Sequence, residues 1–253
     1  MRDIVKILGV PFNRITTDGT VDIIENQINS DRKKPYHIIT GNPEIVVSYK
    51  KEKVLQDIID DTDLITPDGV GIILASKWKK DLLPERVTGV DLLARVLDRG
   101  NERGWSFYFL GADEETNKKA VEIIKEKNSN IVVTGRHNGF FNKEEEEKII
   151  EEISNLKPDI LIVALGAPRA EKWIYNNKLR LNAKVTFGVG GSLDVIAGKV
   201  KRAPLIWQKL NIEWLHRLLS QPSRWRRQLV LPVFAWKAFG EAVKENVFHK
   251  KED

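Results

Sequence analysis

Leu64-Ile65-Thr66-Pro67-Asp68-Gly69-Val70-Gly71 is a short apolar run that stops in Pro-Asp-Gly and passes into a helical pattern, Val70 to Lys79. Proline presets one turn angle, aspartate bonds its own backbone and glycine supplies the remaining freedom, so the run reads as strand, sharp turn, helix. A carboxylate at the end of such a strand stands where α/β proteins hold their reactive groups. Some twenty residues on, Arg86-Val87-Thr88-Gly89-Val90-Asp91 brings an arginine and a second turn that can meet an anion.

The same grammar recurs on both sides. Ile4 to Val10 reads as a strand, with a possible second one after Pro11-Phe12-Asn13, and Asp18 to Asn29 has helical spacing. Tyr36 to Thr40 is a compact strand that meets Gly41-Asn42-Pro43-Glu44, where a cap, a first-turn proline and an acid start a helix running to about Asp60. Thr40 is left over as a possible substrate contact. A helix from Gly89 to Arg99 leads to the strand Trp105–Leu110, which stops at Gly111-Ala112-Asp113. Glu115 to Lys127 is helical, Ile131–Thr134 a strand, and Lys143 to Asn155 a charged, exposed helix. Asp159 to Leu165 is nearly all apolar, as a strand covered on both faces should be, and it ends at Gly166-Ala167-Pro168-Arg169. Lys184–Phe187 ends in Gly188-Val189-Gly190-Gly191-Ser192-Leu193-Asp194. Repeated strand, glycine turn and helix predict an α/β fold, a parallel sheet with helices on both faces. Right-handed crossovers put all the strand-to-helix turns on one edge, so Thr40, Asp68, Gly111, Gly166 and Gly190 should converge on one crevice.

The 253 residues suit one large domain or a domain with an appendage. The absence of cysteine excludes disulfides and thiolate chemistry. The N-terminus lacks a signal-peptide core, and the apolar run Leu229 to Trp236 is too short to span a bilayer. The net charge of +5 is unevenly spread: residues 199–253 hold 12 Lys/Arg against 5 Asp/Glu, leaving 29 against 31 for residues 1–198. Trp207, Trp214, Trp225 and Trp236 also fall in that last stretch. Ala203 to Ser220 reads as one amphipathic helix with Trp207, Leu210, Trp214 and Leu218 on one arc; a second unit from Pro222 carries Arg224, Arg226 and Arg227. A basic, Trp-rich amphipathic tail fits an interfacial membrane anchor, and docking on the body or on a second copy is the competing use.

Gly188-x-Gly190-x-x-Leu193 lacks the third glycine of a dinucleotide fingerprint, but a glycine turn before a helix still offers N–H groups to phosphate. A nucleotide-dependent dehydrogenase therefore stays open as a second enzyme reading, and a nucleic-acid-binding module with a basic tail as a third. Asp61-Thr62-Asp63 matches a metal-holding pattern of nucleotide-sugar enzymes, yet it precedes its strand and so falls on the wrong edge. The four histidines have no ligand-like spacing. Neither a metal site nor an organic cofactor is expected.

Taken together, Thr40-Gly41-Asn42-Pro43, Pro67-Asp68-Gly69-Val70-Gly71, Arg86 to Asp91, Leu165-Gly166-Ala167-Pro168, Gly188 to Gly191 with Asp194, Glu213-Trp214-Leu215-x-Arg217-Leu218 and Pro222-x-Arg224 resemble the WecG/TagA/CpsF glycosyltransferase family over nearly the whole chain. The resemblance implies a Rossmann-like catalytic domain at residues 1–195, and a basic helical membrane-association appendage at 196–253. It implies inverting transfer of N-acetylmannosamine from its UDP donor to the 4-hydroxyl of lipid-linked N-acetylglucosamine diphosphate, in wall teichoic acid linkage-unit synthesis, with no required metal. A uronic-acid form of the donor is the variant within the family. Asp68 would be the catalytic base; Thr40, Asn42, Arg86, Gly89, Asp91, Gly111, Gly166, Gly190, Gly191 and Asp194 would surround the substrates; Arg217, Arg224 and Arg227 would serve the lipid diphosphate. The expected setting is the cytoplasmic face of the plasma membrane; the tail's own charge and apolar face point to anionic lipid rather than nucleic acid, with self-association through that face off the membrane. One departure stands out: the family pattern continues as Gln-Glu where this chain has Ala170-Glu171.

Overall fold

A computed structural model describes residues 3–210, 212–220 and 225–249; the side chains of residues 209, 217, 226, 227, 248 and 249 lie outside that description. The first expected strand is bent into an antiparallel hairpin, β1 (Ile4–Ile7) and β2 (Val10–Asn13), because Leu8 and Gly9 both take positive φ. Six strands then form one sheet: β3 (Tyr36–Gly41), β4 (Leu64–Pro67), β5 (Ser106–Gly111), β6 (Val132–His137), β7 (Ile160–Ala164) and β8 (Val185–Gly188). Their order is β4-β3-β8-β7-β5-β6 and every neighbouring pair is parallel. The α/β parallel sheet expected from the sequence is therefore present.

Alternate residues of each strand feed opposite faces. Ile38, Phe107, Phe109, Ile162 and Phe187 pack under α1 (Thr17–Ile28), α5 (Gly89–Arg103), α6 (Glu114–Lys127) and α9 (Ser192–Ile196). Ile39 and Ile65 pack on the other side with α2 (Pro43–Tyr49), α3 (Lys53–Asp61) and α4 (Val70–Trp78). Farther along that face, Tyr108, Leu110, Leu161 and Val163 meet α7 (Lys143–Leu156) and α8 (Arg169–Asn177). The helix after β3 thus lies on one face and the helix after β8, its neighbour, on the other. That divergence opens a crevice at the carboxyl ends of the two strands.

The single helix expected after Asn42 is two helices. On a continuous helix the buried trio Ile45, Val46, Val47 and the buried trio Leu55, Ile58, Ile59 would face about half a turn apart. The break at Lys50–Glu52 brings both onto the same core, and burial outweighs helix continuity. The tail shows a similar correction. Instead of one helix from Ala203 to Ser220 there are α10 (Leu205–Lys209) and α11 (Glu213–Ser220). Trp207 meets His216 edge to face at 5.5 Å, so the expected continuous apolar arc is split.

α12 (Trp225–Gln228) and α13 (Val230–His249) complete the described chain. Pro232 falls in the first turn of α13, where its missing N–H costs no helical bond. Phe234 and Ala238 of α13 are buried in the core shared by α2 and α4, and Ala242 farther along the helix is buried as well. Phe234 lies close against Gly71, and Glu241 accepts from the Leu8 N–H at 2.8 Å. This last helix is docked on the body beside the Asp68 turn.

Candidate active site

The crevice is assembled from strand ends. Asp68 follows β4, half-buried, and its N–H donates to the Gly41 carbonyl at 2.8 Å. Gly69 takes φ 94° to turn the chain into α4. The Val87 N–H donates to the Pro67 carbonyl at 2.8 Å, which fixes Arg86 to Thr88 beside the same strand end. Thr40, buried near the end of β3, donates from Oγ1 to the Gly188 carbonyl at 3.4 Å. Gly89 opens α5 so close to this junction that a Cβ there would stand 3.5 Å from the Val189 backbone and 3.7 Å from Thr40 Oγ1. Asn42 accepts from the Ile45 N–H at 3.1 Å and so caps α2, as helix-start chemistry requires.

Gly166 and Gly190, both at positive φ, face open space. Gly191 is the cap and Asp194 a first-turn acid of α9, which is only five residues long, so its dipole is small and the turn itself carries any phosphate binding. Gly111 has a packing explanation: at φ 124° a Cβ would come within 2.4 Å of the Ala164 carbonyl carbon. Asp68, Thr40 and Gly190 lie at the ends of adjacent strands, whereas β5 lies three strand steps from β3, roughly 14 Å at normal strand spacing. The five turns are thus spread along the carboxyl edge of the sheet.

Charge at the crevice mouth comes from both body and tail. Arg86 Nη2 donates to Glu213 Oε2 of α11 at 2.9 Å. Arg202 Nη2 pairs with both Asp91 oxygens, at 2.7 and 2.9 Å, and Thr88 Oγ1 donates to Asp91 at 2.6 Å. Arg202 Nε also reaches Glu213 Oε1 at 3.5 Å. Lys199 pairs with Asp113, the cap of α6, so the segment leaving α9 is tethered across the sheet edge. Arg202 escaped the sequence reading because it counted only as tail charge. Arg217 and Arg227 lie on α11 and α12 with side chains outside the described residues, and Arg224 lies outside them altogether.

Glu171 was also missed. It stands in the first turn of α8, only 5% exposed, with Oε1 against Gly188 and Oε2 without a hydrogen-bond partner among the described residues. Burial pushes its carboxyl up to about 7, its own backbone N–H opposes this, and Glu44 adds to the rise. Neighbouring Ala170 is buried and packs on Gly188 as well, which places the departure from the family pattern at the rim of the crevice. Asp61 and Asp63 lie at the opposite edge, as expected. Lys178 pairs with Asp61 at 2.9 Å, and Arg32 with Asp63 at 2.6 Å.

Comparison with known proteins covers this whole architecture. The model described as "Glycosyl transferase WecG/TagA/CpsF family" matches residues 5–247. A Bacillus subtilis (strain 168) protein is 31% identical over 247 residues, 98% of this chain and 95% of its own. A Staphylococcus aureus (strain MRSA252) protein is 34% identical over 233 residues, 92% of this chain and 91% of its own. Both relatives are named N-acetylglucosaminyldiphosphoundecaprenol N-acetyl-beta-D-mannosaminyltransferase.

Proposed function

The chain belongs to the WecG/TagA/CpsF glycosyltransferase family, and from that premise we propose that it transfers N-acetylmannosamine, with inversion, from UDP-N-acetylmannosamine to the 4-hydroxyl of N-acetylglucosamine-diphospho-undecaprenol in wall teichoic acid linkage-unit synthesis. The observation that carries the reading is the juxtaposition of Asp68 with the Thr40–Gly188 junction and the Arg86 segment, in a chain that aligns end to end with transferases of that name. The Asp68 carboxylate takes the proton of the acceptor hydroxyl as its oxygen attacks the sugar C1. The C1–O bond to the diphosphate breaks on the opposite side, and UDP leaves with the bonding electron pair. Arg86 and the 188–191 turn stabilise that charge. Thr40, Asn42, Gly89, Asp91, Gly111, Gly166, Gly190, Gly191 and Asp194 surround the substrates, and Arg217, Arg224 and Arg227 serve the acceptor's diphosphate. The residues present can do this without a metal or an organic cofactor.

No described helix is long and apolar enough to cross a membrane. The tail instead exposes Leu205, Ile206, Leu210, Leu219, Trp225 and Trp236 among its basic residues. In the proposed reading, residues 1–195 form the catalytic unit. Residues 196–253 hold it peripherally on the anionic inner face of the plasma membrane, and the same apolar surface supports self-association off the membrane. Nucleic acid has no part in it. Incubation with a panel of UDP-sugars and a short-chain acceptor, analysed by mass spectrometry, should give one added N-acetylhexosamine from UDP-N-acetylmannosamine. Product from another donor only would overturn the sugar assignment.

A further inference from the structure

The carboxylate of Glu213 enters the crevice mouth from the tail and is held between two guanidiniums, Arg86 at 2.9 Å and Arg202 at 3.5 Å. The two arginines have different supports. Arg202 is gripped from behind by both Asp91 oxygens, and Asp91 is itself fixed by the Thr88 hydroxyl. Asp91 therefore gives Arg202 a support that does not involve Glu213. Arg86 is positioned through its backbone neighbour Val87, bonded to the end of β4. Two forked donors aimed at one acceptor group make a site for an anion with more oxygens and more charge than one carboxylate, and phosphate matches the guanidinium fork well. The contacts are partly solvent-exposed, with side-chain exposures of 18% for Arg86, 31% for Arg202 and 25% for Glu213. A pair still partly open to water, joined through one nitrogen of each guanidinium, can give way to an anion that offers more oxygens and more charge.

We propose that Arg86 and Arg202 form a two-guanidinium clamp for a substrate diphosphate, and that Glu213 is its built-in occupant, displaced when the diphosphate arrives. Arg202 thereby joins the binding residues, and Glu213 couples diphosphate binding to the start of α11. The proposal rests on the transferase reading above, which supplies two sources of the same chemistry: the nucleoside diphosphate of the donor and the lipid diphosphate of the acceptor.

Calorimetric binding to the full chain tests it with UDP, UMP and a short-chain isoprenoid diphosphate carrying N-acetylglucosamine. Glu213→Gln should tighten a diphosphate three- to tenfold and leave UMP nearly unchanged. Arg202→Gln should weaken the same ligand tenfold or more, with Arg202→Lys in between. In the Arg86→Gln background the gain from Glu213→Gln should shrink. An effect confined to UDP assigns the clamp to the donor; one confined to the lipid diphosphate assigns it to the acceptor. Unchanged affinity for both, with only a lowered melting temperature, overturns the proposal and leaves a structural ion network. Binding is read without turnover, so absent transfer alongside altered diphosphate binding counts against the transferase reading and not against the clamp.

Discussion

Asp68 and Glu171 are two carboxyls at one crevice with opposite surroundings. Asp68 is half-buried at the turn that follows β4. Asp68→Asn should lower turnover about a hundredfold or more, the scale of a lost general base, while UDP affinity stays within about twofold. Near-normal turnover would remove Asp68 from that role. Glu171 is sealed against Gly188, and burial raises its folded pKa from 4.5 to about 7. For an acid raised on folding, the stabilising contribution is complete below the unfolded value and is lost as pH climbs through about 7. Between pH 5 and 8 the wild type should therefore lose stability on the order of 3 kcal/mol from this group. Glu171→Gln should flatten that slope and be the more stable form at pH 8. Urea unfolding at the two pH values checks it, and equal slopes for both proteins would refute it.

At the scale of elements, the docked C-terminal helix and the break between α2 and α3 have one cause, the burial of apolar side chains on a shared core. Phe234 fills the space beside Gly71 in the first turn of α4, directly after Asp68 and Gly69. Phe234→Ala removes a fully buried ring and should cost about 3–5 kcal/mol. Because the lost packing adjoins the Asp68 turn, activity should fall further than UDP affinity does. A denaturant midpoint unchanged from wild type would show that α13 does not pack there. Gly111→Ala belongs to the same scale. Positive φ and a collision with the Ala164 carbonyl should strain the β5–β7 junction, seen as a lowered melting temperature with the fold otherwise intact.

For the whole molecule, charge and exposed apolar surface concentrate on the tail, which is why the membrane proposal is tested on the full chain. Full-length protein should float with anionic vesicles, less so at high salt. Trp236→Ser should weaken flotation several-fold without shifting the melting temperature, since the ring is 81% exposed and supports no core. Equal flotation of both proteins would remove Trp236 from any lipid contact. Much of this molecule was legible locally. Pro67-Asp68-Gly69, Gly41-Asn42-Pro43 and the apolar strands announce themselves because turn chemistry and side-chain alternation act over a few residues. Strand ends could be placed on one edge from handedness alone. The re-phasing of α2 and α3 was hidden because each trio is apolar by itself and only a common core decides their relative angle. The sheet order, the burial of Glu171 behind Gly188 and the packing of Phe234 on Gly71 were likewise settled only in three dimensions. The clamp is the clearest case: Arg86 and Glu213 are 127 residues apart, and Arg202 and Asp91 111 apart. No local pattern pairs charges across such separations. They meet because the chain returns over the crevice after its last strand, and that return is fixed by how the sheet and its helices pack.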